Sequence, residues 1–156
     1  MVVTENEYDL VLRSRDGDSQ AFAAPVQAHQ RMIHSLLFRM TGSLADAEDV
    51  AQETFIQAHQ QLVRFRRDAP FGAWVRRIAI NRCLNWCQRD MRRARLHTEW
   101  GRDQETARHS SSHHVEQRVQ DALNRLNPKQ RAAVVLTAYE ALNHAGAAKL
   151  RNQTRN

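Results

Sequence analysis

Cysteine is scarce in this sequence of 156 residues, with only Cys83 and Cys87 present. Two cysteines one helical turn apart cannot build a disulfide framework, and two ligands alone do not close a zinc site. The two cysteines are therefore expected to be buried, reduced thiols. Long apolar runs are also missing, because no stretch approaches the length that crosses a bilayer, and the N-terminal residues MVVTENEYDL are acidic. These absences predict a cytoplasmic protein without membrane insertion.

Lysine is almost absent, since only Lys129 and Lys149 are lysines among the 23 basic residues. The planar guanidinium of arginine favours bidentate contacts with phosphates and carboxylates. Charge is also unevenly distributed along the chain. Residues 1–63 carry four basic and nine acidic side chains, whereas residues 64–95 carry ten basic and two acidic ones. Two regions of opposite charge indicate two different partners, and the basic region suits a phosphate backbone.

The basic region contains the most informative stretch, FGAWVRRIAINRCLNWCQRDMRRAR at residues 71–95. At 100° per residue, its apolar side chains fall on one helix face. Amides and guanidiniums can hydrogen-bond base edges and phosphates, and an aromatic plane can stack on an unpaired base. The pattern therefore indicates nucleic-acid contact, although a solvated basic face beside a core tryptophan would give the same pattern. The stripe opposite the apolar face consists of Trp74, Arg77, Asn81, Asn85, Gln88 and Arg92.

A second amphipathic pattern predicts a helix from Ser43 to Phe65. Its expected core positions are Ala47, Ala51, Phe55, Ala58, Leu62 and Phe65. Carboxylates near a helix N-terminus stabilise the helix dipole, but this effect does not reach Glu53 or the amides beyond it. That continuation predicts a second binding surface. The polar side carries Asp46, Asp49, Glu53, Gln57 and Gln60, with Gln52 and Ile56 on one shoulder.

The rest of the chain predicts further helices, so we expect an all-α fold. A short helix follows a capping box at Thr4 and Glu7, and a longer helix runs from about Ser19 to Met40. Gly42 is the natural left-handed residue at its end. Residues 96–114 are rich in Ser, His and Thr with few apolar side chains, and predict a flexible linker.

A smaller helical module is expected at residues 115–156. Its first helix is followed by a second one that Asn127 and Pro128 open, because proline suits the first helical position. A turn is predicted at residues 140–143 and a short helix from His144. This pattern is typical of the first part of a helix-turn-helix motif. Residues 151–156 are too few to supply its recognition helix, so we expect the motif to be partial.

These motifs resemble the extracytoplasmic-function sigma factors, a bacterial group of the sigma-70 family. The resemblance rests on DAEDVAQETFIQAHQQLVRF at residues 46–65, on FGAWVRRIAIN at residues 71–81 and on Arg92-Arg93. Upstream it includes Asp16-Gly17-Asp18 and Ala21-Phe22. It identifies residues 5–95 as a helical sigma domain 2. The runs LNPKQR at residues 126–131 and YEAL at residues 139–142 are similar to the start of sigma domain 4.

The resemblance implies a transcription initiation factor that binds core RNA polymerase and opens promoter DNA at the minus-ten element. It also implies an anti-sigma partner, and neither catalysis nor a cofactor. Polymerase binding, through the clamp helices of the largest subunit, is implied for Asp49, Gln52, Glu53, Ile56 and Gln57. Promoter binding is implied for Arg66, Arg67, Phe71, Trp74, Arg77, Asn81, Asn85, Gln88 and Arg92.

Two other functional classes remain open on the sequence. One is a helix-turn-helix repressor that binds duplex DNA as a homodimer without polymerase. The other is a metal-dependent hydrolase, although its candidate ligands fall on a linker and on a core face. Those candidate ligands are His97, His109, His113, His114 and the two cysteines.

Overall fold

The computed structural model describes residues 6–99 and 114–153, with side chains described for residues 6–97 and 115–141. The described residues are helical and contain no strands, which confirms the predicted all-α fold. The chain divides into two compact units, Met1–His109 and Ser110–Asn156. The helices are α1 (Glu7–Arg15), α2 (Ala23–Thr41), α3 (Leu44–Gln60), α4 (Phe71–Glu99), α5 (His114–Asn124) and α6 (Pro128–Gln153), with short 3-10 turns at Ser19–Phe22 and Leu62–Arg64.

Local signals account for the helix boundaries in the first unit. Asn6 caps α1, and Gly42 ends α2 at φ 73°, a left-handed conformation that glycine adopts without strain. Ser43 caps α3 by accepting a hydrogen bond from the Asp46 N–H at 3.3 Å. Pro25 lies in the first turn of α2, where its missing N–H has no helical acceptor, so α2 continues through it.

The core of the first unit lies between α2, α3 and α4. Small side chains on α3 allow its neighbours to approach closely. The expected α3 stripe is partly corrected, because Val50 and Thr54 are buried whereas Phe55 is half-buried. The buried Thr54 hydroxyl donates to the Val50 carbonyl at 2.7 Å, so its polarity is satisfied inside the helix. Fully buried residues here include Ile33, Leu36, Leu37, Met40, Ala51, Ala58, Val75, Ala79 and Cys83.

Two helix ends differ from the sequence prediction. α3 ends at Gln60 instead of reaching Phe65, and the following 3-10 turn directs both Leu62 and Phe65 into the core, where they are 3% and 6% exposed. α4 continues past Arg95 to Glu99. Its first half packs into the core as far as Cys87, while every side chain from residue 88 to residue 97 is exposed.

The second unit contains a helix pair and corrects one prediction. Asn127 and Gln130 cap α6 reciprocally, because each side chain accepts a hydrogen bond from the other's backbone N–H, at 2.9 and 3.2 Å. The predicted turn at residues 140–143 is wrong, since α6 runs without interruption from Pro128 to Gln153. The segment Glu-Ala-Leu-Asn has no proline or glycine and favours a helix. The short helix predicted from His144 is therefore part of α6 and not a separate element.

The remaining expectations for this part of the chain concern the linker and the membrane. Most of the predicted linker, residues 100–113, lies outside the described residues, while residues 96–99 belong to α4 and His114 begins α5. Among the helices that the structure describes, none combines the length and the apolar character that a membrane span requires.

Candidate nucleic-acid interface

An aromatic cluster, formed by Phe22, Phe65, Phe71 and Trp74, supports the start of α4. Phe71 lies at its centre, with its ring centroid 5.9 Å from Phe22, 5.7 Å from Phe65 and 5.8 Å from Trp74. The contacts to both phenylalanines are nearly perpendicular, at 86° and 85°, an arrangement that the ring quadrupoles favour. The cluster thereby joins the segment before α2, the segment after α3 and the first turn of α4.

The basic loop, residues 66–70, connects two members of this cluster. Phe65 before it and Phe71 after it are buried, whereas all five loop residues are exposed. Its arginines, Arg66 and Arg67, therefore face solvent while the loop ends are held in the core. The two buried phenylalanines thus fix where the loop that carries these cationic side chains begins and ends.

Phe71 differs from the other residues that the family resemblance places in contact with DNA. Its ring is only 3% exposed, because three other rings and the His29 imidazole surround it. A ligand reaches this ring only if the cluster opens. Its position under the basic loop supports the loop backbone.

Trp74 is both a packed core residue and a partly exposed ring, the two alternatives that the sequence leaves open. Its ring lies 5.3 Å from Phe65 and 5.8 Å from Phe71, yet the residue is only half-buried. One side of the indole is therefore packed and another part remains accessible. Such a ring offers a stacking surface whose orientation the protein already holds.

The polar stripe of α4 continues from Trp74 along the outside of the helix. From Trp74 to Arg92 there are 18 helical steps, so the stripe is about 27 Å long at the helical rise of 1.5 Å per residue. The amides of Asn81 and Asn85 make no hydrogen bond to other described residues, so their donors and acceptors are available to a ligand. The stripe residues Arg77, Asn81, Asn85, Gln88 and Arg92 are all exposed.

The second predicted surface lies on the outer face of α3. Asp49, Gln52, Glu53 and Ile56 are exposed, with Ile56 at 51%, and Gln57 is half-buried. Sequence reasoning missed Arg82, whose Nη1 atom on α4 lies 3.6 Å from the Glu53 Oε2 atom. A partly exposed pair at this distance contributes roughly 0–1 kcal/mol. The pair links the two helices that carry the two predicted surfaces.

A cleft of about 330 Å³ opens beside the basic loop and includes residues that sequence reasoning did not place there. One wall comes from the first turn of α1, which the sequence alone marked only as a capped helix. No periodic signal predicts this contact, because the wall and the loop are about 60 residues apart in the chain. The lining residues are Asn6, Glu7, Tyr8, Phe65, Arg67, Asp68, Ala69, Pro70 and Phe71.

The candidate metal ligands do not come together in the described part of the chain. His97 is exposed near the end of α4, whereas both cysteines are buried ten or more residues earlier on that helix. His109 and His113 lie outside the described residues, and the side chain of His114 is not described. No group of three or more His, Cys, Asp or Glu side chains that could hold a metal ion occurs among the described residues.

Known proteins match the chain most closely in the helices that carry both surfaces. The sequence pattern of the Sigma-70 region 2 family matches residues 25–93. The RNA polymerase sigma-H factor of Pseudomonas aeruginosa is 41% identical over 85 residues, which cover 54% of this chain and 44% of that protein. The ECF RNA polymerase sigma factor SigM of Mycobacterium tuberculosis is 32% identical over 136 residues, which cover 86% of this chain and 67% of that protein.

Solved structures of sigma factors resemble the chain as well. An engineered region 2 of sigmaE in complex with GTAAAA superposes with a TM-score of 0.55 at 35% identity, covering 60% of this chain and 97% of that one. The sigma factor RpoE of Bartonella quintana, solved with the anti-sigma factor NepR, superposes with a TM-score of 0.60 over 75% of this chain and 74% of that one. At 21% identity, this second likeness concerns the fold alone.

The helices of the first unit, with their basic loop and polar stripe, thus have the architecture of a sigma-70 region 2. The chain belongs to the extracytoplasmic-function group of the sigma-70 family. It spans 44% of the length of the Pseudomonas protein and 67% of the length of the Mycobacterium protein.

Proposed function

We propose that the protein is a sigma factor that binds core RNA polymerase in the cytoplasm and directs recognition and opening of the promoter minus-ten element. The observation that carries this proposal is the exposed stripe of amides and guanidiniums on α4, which begins at a half-buried indole beside the basic loop. The complex of engineered sigmaE region 2 with GTAAAA supports the proposal, because that region 2 is 35% identical to this chain and the match covers 97% of its length.

Promoter opening would follow from preferential binding of the unpaired strand. Extracting a base from the duplex costs a few kcal/mol, and an aromatic, cationic surface recovers this cost only after the base has left the stack. Trp74 would supply the stacking plane, Asn81 and Asn85 the base-edge contacts, and the arginines the phosphate contacts. Strand opening then needs no ATP, because the difference in affinity between single strand and duplex shifts the equilibrium.

Polymerase docking is assigned in this proposal to the outer face of α3. An exposed Ile56 among carboxylates and amides resembles a small protein interface, in which an apolar centre is surrounded by polar groups. The proposed partner is the pair of clamp helices on the largest subunit. Asp49 and Glu53 would meet basic side chains there, which favours correct orientation and fast association.

The proposal also covers domain organisation and regulation. Residues 5–95 would form sigma domain 2, residues 96–114 a linker, and residues 115–156 the start of domain 4. An anti-sigma factor is a further proposed partner, because the resemblance to the extracytoplasmic-function sigma factors implies one. The protein would act by binding alone, with catalysis left to the polymerase.

A pull-down with core RNA polymerase, followed by run-off transcription from a promoter set, tests the proposal. We expect a stable complex and promoter-specific transcripts that core enzyme alone does not produce. Glu53→Arg should weaken polymerase binding about tenfold, because reversing one interface charge costs on the order of 1.4 kcal/mol. Glu48→Arg is the matched control, since Glu48 is an exposed carboxylate on α3 outside the predicted contact set.

Three results would count against this function. Equal binding of both α3 variants would remove the docking assignment. A complex that yields no specific transcript would remove the promoter assignment. Tight duplex binding by the isolated chain without polymerase would indicate a repressor instead.

A further inference from the structure

The first turn of α1 contacts the basic loop through an aromatic ring. The guanidinium carbon of Arg67 lies 4.7 Å from the centroid of the Tyr8 ring, within the range of a cation–π contact. On its other side the Tyr8 ring lies 6.1 Å from Phe65, at the base of the loop. Tyr8 is half-buried and Arg67 is exposed, so the stacked pair stands at the surface of the cleft.

A second set of contacts holds this turn of α1 in place. The Glu7 carboxylate lies 2.5 Å from Nε2 of His29 on α2, and the His29 ring packs against Phe71 with centroids 5.8 Å apart. Gly72 permits this approach, because a Cβ atom at that position would lie 2.5 Å from the His29 ring. Two adjacent residues of α1 are thus tied to the two ends of the basic loop.

The guanidinium of Arg67 lies over the Tyr8 ring, so its N–H donors remain available for other hydrogen bonds. A guanidinium that stacks on a ring uses its face, while its five N–H donors point outward in its plane. An unrestrained arginine side chain loses rotamer freedom worth up to about 2 kcal/mol when it is immobilised on a ligand. Stacking on Tyr8 removes part of that freedom before the ligand arrives, so less is lost on binding.

We propose that Tyr8 is a positioning residue that holds Arg67 in the orientation in which it binds a phosphate of the unpaired promoter strand. This inference rests on the proposed function and assigns α1 a part in the strand-binding site. Tyr8 lies before residues 25–93, which the family pattern covers, so one partner of the contact lies outside that pattern. Glu7 shares the cleft but is bonded to His29, which keeps its carboxylate directed towards α2.

The test measures binding of a fluorescent single-stranded oligonucleotide by the full chain in complex with core polymerase. The oligonucleotide carries the non-template minus-ten strand of a promoter that the complex transcribes. Tyr8→Leu, which keeps an apolar side chain without a π face, should bind about two- to fivefold more weakly. Tyr8→Phe, which keeps the ring, should bind as the unchanged protein does.

Two further readouts separate positioning from general support of the fold. In an Arg67→Ala background, Tyr8→Leu should cause no additional loss, because the side chain that it positions is gone. Tyr8→Leu and Arg67→Ala should each also lower the slope of log affinity against log salt by up to about 0.7, the value for one phosphate contact on a single strand. Arg31→Ala, which removes an exposed arginine of α2, is the charge control and should change neither quantity.

The outcomes distinguish this inference from the proposed function. If the unchanged complex binds no promoter strand, both are overturned. If that complex binds and Tyr8→Leu binds equally well, or if its effect adds fully to that of Arg67→Ala, only the role of Tyr8 is overturned. If Tyr8→Leu lowers the melting temperature, the strand affinity of Arg67→Lys becomes the decisive measurement. This variant leaves α1 unchanged and keeps the positive charge at residue 67. It must then lose affinity, since an ammonium lacks the planar stacking face, and unchanged affinity refutes the inference.

Discussion

The proposed strand-binding surface, formed by the basic loop and the α4 stripe, differs from the outer face of α3 in how the fold supports it. The basic loop and the start of the α4 stripe rest on an aromatic cluster whose rings are 5.3 to 5.9 Å apart. The outer face of α3 is an ordinary exposed helix face, with one ion pair to α4 at 3.6 Å. Binding an unpaired base requires donors and a ring at defined positions, whereas a helix that docks on another helix needs only its own regular geometry.

The largest effect should follow from emptying the centre of the aromatic cluster. Phe71→Ala removes a ring that is 3% exposed, and we expect a loss of about 3–5 kcal/mol in the free energy of unfolding, measured by urea denaturation. Val63→Ala, at a position that is 80% exposed, should change it by less than about 0.5 kcal/mol. A stable Phe71→Ala protein that fails to bind the strand would instead show that this ring contacts DNA.

A smaller effect is expected from crowding the contact between α2 and α4. Gly72→Ala places a methyl group 2.5 Å from the His29 ring, which should lower the unfolding free energy by about 1–3 kcal/mol. In a His29→Ala background the same change should be neutral or stabilising by up to about 1 kcal/mol, since alanine favours a helix over glycine. Equal destabilisation in both backgrounds would contradict this explanation.

Asn81→Ala tests the comparison of the two surfaces further, because it should change strand binding without disturbing the aromatic cluster under the basic loop. Asn81 is exposed, so the unfolding free energy should move by less than about 0.5 kcal/mol. Loss of one hydrogen bond of about 1 kcal/mol should weaken binding to the single minus-ten strand about fivefold. Polymerase affinity, measured in parallel, should stay constant, and a parallel loss of polymerase affinity would show that the two surfaces are not independent.

The smallest effect concerns Asp18, which belongs to neither surface. A hydrogen bond from Arg13, at 2.6 Å, lowers the pKa of the Asp18 carboxyl below its usual value, and the Ala21 N–H acts in the same direction. The resulting stabilisation is present above the unfolded pKa of about 3.9 and is lost as pH falls through the lower folded pKa.

The corresponding measurement follows the melting temperature of Asp18→Asn and of the unchanged protein from pH 6 to pH 3. The unchanged protein should lose slightly more stability over this range, because only its carboxyl group takes up a proton there. Asn retains the ability to cap the 3-10 turn, so the comparison isolates the charge. Asp16→Asn, at a neighbouring exposed carboxyl, serves as the control for a general change in net charge. Identical pH dependence of Asp18→Asn and the unchanged protein would refute the role of the Arg13 pair.

Sequence patterns predicted much of the fold and the outline of both surfaces. Gly42, Ser43 and Asn127 act within a few residues of themselves, so their boundary signals hold in the structure. Apart from the half-buried Trp74, the α4 stripe is exposed as its periodicity indicates. The turn predicted at residues 140–143 is wrong, because that segment has no proline or glycine and its residues favour a helix.

Other features depend on which segments meet in three dimensions. Helical periodicity identifies a buried face but not its neighbours, so it could not show that Val50 and Thr54 face the core in place of Phe55. Arg82 pairs with Glu53 only because α3 and α4 lie side by side. The contact between Tyr8 and Arg67 likewise could not be predicted from helical periodicity, because the two residues are 59 positions apart in the chain.

The amino-acid order alone determined that the chain is helical, where most helices begin, and which side chains are cationic or amide-bearing on α4. These properties depend on propensities, caps and a period of 3.6 residues, which act over a few positions. Only the tertiary structure decided that Phe71 lies under the basic loop, that Trp74 is partly open and that α1 contributes a wall of the cleft. Side-chain packing between distant segments sets these positions, and packing depends on the shape of the whole core.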